Sequence, residues 1–243
     1  MQRLILGFVA LGLIACSQAP VQSRSATSVA AICPPPVATP APVTPPPPML
    51  ANPAAPVPVH AVPVDKDHRE VKIETTLGDM VVQLDATRAP LTVRSFLTYV
   101  KQRYYDGSAF YRVVPGFVIQ GGDFTADLDY RKPRHPAVPN ESGNGLSNLR
   151  GRFAMARGDY PHSGNTAFYI NLVDNRKLDP RPDRWGYAVF GQVVQGMDVV
   201  DKIASVATHT VTIVDSPQPF NDVPVKPVRI IRIRLLPLSP VRP

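Results

Sequence analysis

Few side chains in this 243-residue sequence stand in spacings that suit covalent or metal chemistry. Its two cysteines, Cys16 and Cys33, both precede residue 67, so the rest of the chain holds neither a disulfide framework nor a thiolate zinc site. The five histidines, at 60, 68, 135, 162 and 209, are never three to five residues apart, and no paired metal-ligand spacing results. No G-x-S-x-G elbow occurs, and Ser163 beside His162 proves adjacency alone. Gly121-Gly122 lacks the further glycines and the Lys-Ser/Thr of a phosphate loop, which leaves backbone geometry as their role. Asn140-Glu-Ser142 has the form of a glycosylation acceptor. What stands out is Arg112, inside the run Phe110-Tyr-Arg-Val-Val-Pro-Gly-Phe-Val-Ile-Gln-Gly-Gly-Asp-Phe124, with Gln120 further along it. Taken alone, an arginine in a strand is a solvated surface residue.

The elements that would position this run are legible from periodicity. Val71, Ile73 and Thr75 alternate with Lys72, Glu74 and Thr76, and beyond Leu77-Gly78 Met80, Val82 and Leu84 alternate with Asp79, Val81, Gln83 and Asp85, which predicts a β-hairpin. Pro90 suits a first helical turn, and Val93, Phe96, Leu97 and Val100 share a face of a helix ending near Asp106-Gly107. Strands are expected at Phe110 to Val114, Phe117 to Gln120, Arg152 to Arg157, Phe168 to Leu172, Tyr187 to Val194 and Val228 to Leu236, with a second helix from Met197 to Ala207. About eight strands and two helices, with long first and last strands whose edges need covering, favour a mainly β fold closed into an eight-stranded antiparallel barrel. A lipocalin-like cup or a sandwich would not need helices at these places.

Composition sets the domain limits. Of 29 prolines, 14 fall in residues 17–66, a stretch with three charges (Arg24, Asp65, Lys66) and no aromatic residue. Such a segment cannot bury enough apolar surface to offset its ordering entropy, so it reads as a disordered linker. One folded domain is expected over 67–238, followed by a tail at 239–243. Of the net charge of +7, residues 67–243 carry +5, dispersed and without a nucleic-acid-binding motif, so no nucleic-acid partner is expected.

The Phe110–Phe124 run resembles the signature of the cyclophilin-type peptidyl-prolyl isomerases. Asn140-Glu, Asn144-Gly-Leu-Ser-Asn148, Arg150-Gly151, Phe153-Ala-Met-Ala-Arg157, Phe168-Tyr-Ile-Asn171 and Gly186-Tyr-Ala-Val-Phe-Gly191 follow in the family's order, from about Val71 to Leu236. The resemblance implies an eight-stranded barrel capped by two helices. It implies acceleration of rotation about X-Pro bonds, a reaction that forms no covalent bond and needs no metal or cofactor. Arg112 matches the family's catalytic arginine and Gln120 the glutamine that steadies it. Phe117, Val118, Met155, Tyr169 and Leu178 fall at or beside the positions of the proline pocket, with the Ala156 and Arg157 main chain beside the substrate backbone. Tyr111 and Tyr187 stand where histidines are common, Tyr169 replaces a phenylalanine, and Ala167 replaces a glutamine that contacts substrate. Lys177 stands where some members carry a tryptophan used in binding cyclosporin, so weak sensitivity to that drug is expected. A binding module that holds proline segments with little turnover, as a tethered chaperone or scaffold, is the alternative.

Residues 1–16, MQRLILGFVALGLIAC, join Arg3 to twelve uncharged residues, too few to span a bilayer, which needs ~20. Leu13-Ile14-Ala15-Cys16 resembles a bacterial lipobox, which implies lipidation of Cys16 and a lipoprotein; Ser17 after it favours the outer membrane, facing the periplasm. An ordinary secretory signal, giving a soluble periplasmic protein, is the other possibility. With Cys16 lipidated, the linker would lift the domain from the lipid surface by ~40 Å as a coil or ~150 Å fully extended. Cys33 would be left as an unpaired thiol. Expected partners are proline-containing unfolded or nascent exported polypeptides and, through the anchor, the membrane; the domain itself is expected to be a monomer.

Overall fold

The computed structural model describes residues 68–212 and 219–237. The expected signal, linker and tail, with Cys16 and Cys33, lie outside the described residues.

The chain runs β1 (His68–Thr75), β2 (Gly78–Asp85), α1 (Pro90–Lys101), β3 (Ser108–Val114), β4 (Val118–Thr125), β5 (Arg152–Met155), β6 (Phe168–Asn171), β7 (Val189–Gln195), α2 (Met197–Ala204), β8 (Thr208–Val211), β9 (Phe220–Pro224) and β10 (Val228–Leu235). Eight strands close into an antiparallel barrel in the order β1-β10-β3-β4-β6-β5-β7-β2. Closure pairs the long first strand with the last, Ile73 opposite Ile233, and removes both free edges. The barrel and its two helices match the expected fold class. A two-stranded ribbon, β8–β9, stands outside the barrel and was not anticipated. Its strands are short and carry no apolar alternation, and β9 ends in proline, so nothing in the pattern separates them from a loop.

The period-2 pattern puts Val71, Ile73, Met80, Val82 and Leu84 inside, where they meet Phe153, Phe168 and Phe190. Helix α1 covers one mouth: Phe96 packs against the rings of Phe153, Phe168 and Phe190 at 5.4, 6.0 and 5.5 Å. Ala89, the residue before the helix, cannot cap it. The carboxylate of Glu141 does so instead, accepting bonds from the N–H groups of Leu91 (3.1 Å) and Thr92 (2.8 Å) and from the Thr92 hydroxyl (2.7 Å). The helix stops at Lys101, short of the expected Asp106-Gly107. Arg103 adopts a left-handed φ of 53°, and the N–H groups of Tyr104 and Arg103 bond back to the carbonyls of Tyr99 and Val100, a Schellman stop. At the other end of β2, helix α2 buries Val199, Val200 and Ile203, and it ends at Ala204 rather than Ala207.

Candidate active site

The site is built on the outer wall of the barrel, where five neighbouring strands set one residue each in a row. Arg112 on β3 lies opposite Gln120 on β4, Gln120 opposite Tyr169 on β6, Tyr169 opposite Ala154 on β5, and Ala154 opposite Val189 on β7. Tyr111 makes this possible. Phe110 pairs with Gly121 and Arg112 with Gln120, so Tyr111 is an extra residue, a bulge that turns Arg112 outward. Gly121 is required by the close strand approach: a Cβ there would stand 2.6 Å from the Ala109 carbonyl oxygen. Gly122 adds a φ of 115° that a side chain would strain. The backbone reading of this glycine pair is therefore correct.

Arg112 Nη1 donates to Gln120 Oε1 at 3.3 Å, and the Gln120 amide nitrogen donates to the Tyr111 hydroxyl. The Tyr111 ring is buried and packs on Phe124 at 4.7 Å, so it orients Gln120 from behind. Burial, then the nearby Asp123 carboxylate, pushes the Tyr111 hydroxyl pKa well above its usual range. Asp123 itself is raised to about 6, chiefly by burial, against lowering hydrogen bonds from backbone and Tyr111. Its Oδ1 is buried without a partner among the described residues. Beside these groups opens a groove of about 280 Å³ whose walls include Tyr111, Gln120, Asp123, Arg157, Asn165 and Ala167.

Next to the arginine lies an apolar cluster separate from the barrel interior. Val118, Ala154, Ala156, Tyr169 and Val189 are buried in it, and Phe117, Leu146, Ala167, Leu178 and Tyr187 pack around them partly exposed. Phe117 follows the tight Pro115-Gly116 turn, Gly116 at a φ of 70°, and its own N–H bonds to the Val114 carbonyl. The structure thus brings together Arg112, Gln120, Phe117, Val118, Ala156, Tyr169, Leu178, Tyr187 and Tyr111.

Met155 is the exception. It points into the barrel interior, opposite Phe168, because strand residues alternate and its neighbour Ala154 takes the outer face. Its expected place in the proline pocket is corrected on that ground. Main-chain donors are also fewer than expected: the Ala156 N–H is spent on the Ala167 carbonyl at 3.0 Å, continuing the β5–β6 ladder. Arg157 uses its side chain to staple the loop before β7, donating to the carbonyls of Gly186 (3.2 Å) and Trp185 (2.9 Å) with its guanidinium 4.6 Å from the centre of the Tyr187 ring.

Behind the cluster is a polar network that sequence reasoning missed. The Tyr169 hydroxyl donates to Asn148 Oδ1 at 2.7 Å, and Asn148 Nδ2 donates to Asp179 Oδ1 at 3.0 Å. Asn175 Nδ2 reaches both Asn171 Oδ1 and the Phe117 carbonyl, each at 2.8 Å. The hydroxyl that Tyr169 adds is therefore satisfied away from the surface, and the network fixes the turn that carries Phe117. Asn148 and Asn171 were visible only as motif letters.

Comparison with known proteins agrees with this geometry. Residues 70–235 match the family model described as cyclophilin type peptidyl-prolyl cis-trans isomerase/CLD. Peptidyl-prolyl cis-trans isomerase A of Dickeya dadantii is 42% identical over 166 residues, covering 68% of this chain and 84% of that protein. Peptidyl-prolyl cis-trans isomerase B of Escherichia coli is 45% identical over 141 residues, covering 57% and 85%. A cyclophilin type isomerase of Cryptosporidium parvum, solved in the presence of the dipeptide Ala-Pro, shares the fold with a TM-score of 0.58 at 21% identity, over 69% of this chain and 99% of that one. With the family model spanning the whole barrel, the chain belongs to the cyclophilin-type peptidyl-prolyl cis-trans isomerases.

Proposed function

We propose that Arg112, steadied by Gln120, turns X-Pro bonds in exported, incompletely folded polypeptides seated on the outer apolar cluster. Rotating such a bond costs ~20 kcal/mol because amide resonance is lost at the twisted state. No bond is made or broken, so acceleration requires tighter binding of the twisted imide than of either planar isomer. A guanidinium has five N–H donors in a rigid fork. One of them is held by Gln120, and others remain to meet the prolyl nitrogen as it becomes pyramidal and the adjoining carbonyl. Phe117, Val118, Tyr169 and Leu178 offer the ring an apolar seat, and a dry seat favours the less charge-separated twisted amide. The observation that carries this reading is the single outward row joining Arg112, Gln120 and Tyr169 across β3, β4 and β6.

The test is cis/trans exchange on a short X-Pro peptide. Arg112→Ala is expected to lower the catalysed rate about 100-fold with the fold intact. A wild-type rate in that variant would move the catalysis to another residue, and no catalysed exchange in either protein would leave proline-segment binding without turnover.

The domain is further proposed to work as a monomer on a lipid anchor at Cys16, in the outer membrane and facing the periplasm. The Leu13-Ile14-Ala15-Cys16 box, Ser17 and the proline-rich spacer support this. Labelled fatty acid should enter the wild type and not Cys16→Ser; a wild type without label would make the protein soluble and periplasmic.

A further inference from the structure

The β8–β9 ribbon lies outside the barrel, yet its register sets a carboxylate beside Arg112. Thr208 pairs with Pro224 and His209 with Val223, but the next pair is Val211 with Phe220, so Thr210 alone faces Asn221 and Asp222. Thr210 Oγ1 and Asn221 Oδ1 lie 3.0 Å apart across this bulge. Asp222 takes the extra step with a φ of 61°, left-handed backbone that aspartate adopts more readily than most residues. Bulges of this kind re-aim a side chain and recur beside active sites. The side chain re-aimed here is that of Asp222, whose Oδ2 stands 3.9 Å from Arg112 Nε. Aromatic packing seats the ribbon: Phe220 meets Phe124 at 5.2 Å, and Phe124 packs on Tyr111, the residue before Arg112.

The Asp222 and Arg112 side chains are 38% and 36% exposed, so the pair is too open to add much stability. Its consequence is the field at the site. Arg112, Arg157 and Lys177, with Lys177 Nζ 4.6 Å from the centre of the Phe117 ring, all place positive charge around the apolar seat. Uncompensated, these cations would draw acidic peptides and repel basic ones. Asp222 is the carboxylate within ion-pair distance of Arg112 among the described residues.

We infer that Asp222 is a specificity-determining residue. Its charge cancels the pull of Arg112 on acidic side chains and admits proline segments flanked by lysine or arginine. This deepens the reading of Arg112 as the residue that turns the peptide, and it rests on that reading.

The experiment compares kcat/KM for peptides that differ only in Lys, Gln or Glu beside the proline, using wild type, Asp222→Asn, Asp222→Glu and Arg112→Ala. Asp222→Asn should lower the Lys-to-Glu preference about fivefold at low salt, an effect that fades in about 0.5 M salt. Asp222→Glu should restore most of the preference. An unchanged ratio in Asp222→Asn, or an equal fall for all three peptides, overturns the inference while loss of activity in Arg112→Ala keeps the catalytic reading. Full activity in Arg112→Ala overturns that reading instead.

Discussion

Strands β4 to β7 carry two apolar clusters back to back, and the two differ in how far they close and in what backs them. Inside, Phe153, Phe168, Ile170 and Phe190 are fully buried, with ring centroids 4.7 to 4.8 Å apart for the closest pairs. Outside, Tyr169, Ala154 and Val189 form a floor whose rim (Phe117, Leu178, Tyr187) stays partly open to water and is backed by an asparagine network. The inner cluster gains from closing completely. The outer one leaves apolar surface unfilled beside a cation, which is a cost to stability that only a ligand removes. Stability is thus carried on one face of these strands and the proposed function on the other, and substitutions should separate them.

The largest separation is expected from Phe153→Ala. Emptying the interior should cost about 4 kcal/mol in denaturant unfolding, with rate per folded molecule little changed. A rate loss without destabilisation would place Phe153 in the outer machinery.

Asp123, in the groove wall beside Tyr111 and Gln120, gives the next effect. Its carboxyl is raised from 3.8 to about 6 in the folded state, so the fold holds a proton that the unfolded chain releases. The stability this supplies is present in full below about 3.8 and is lost as pH rises through about 6. Asp123→Asn keeps the neutral form and should be more stable than wild type at pH 7 by up to about 3 kcal/mol, the two converging near pH 4. Parallel stability curves for the two proteins would contradict the buried-proton account.

The smallest effect is expected at the floor itself. Tyr169→Phe removes the bond to Asn148 and should cost about 1 kcal/mol, a fall in Tm of roughly 2–4 °C, while exchange rates hold within about twofold. A large loss of rate would show that the hydroxyl faces substrate after all.

Much of this division was legible in the sequence because strand parity and the Phe110–Phe124 run are local. Alternation fixed β1, β2 and β10, and Pro90 marked the start of α1. Parity also held the correction at Met155: Phe153 and Met155 share the inner face, and Ala154 the outer. The features that could not be read depend on distant partners. Glu141 caps α1 from 50 residues away, and Asn148 meets Asp179 from 31 away, contacts that no window of sequence contains. The β8–β9 ribbon was illegible for another reason. Its placement rests on a bulge and a left-handed aspartate, neither of which has an apolar period.

The outer face stands or falls on the geometry of one guanidinium, and Arg112→Lys probes it most directly. Lysine keeps the positive charge but loses the planar fork. Exchange measured by NMR on a saturating X-Pro peptide should fall at least about tenfold, with peptide affinity and unfolding midpoint close to wild type. Exchange at the wild-type rate in that variant would show that charge alone, or a different residue, turns the bond.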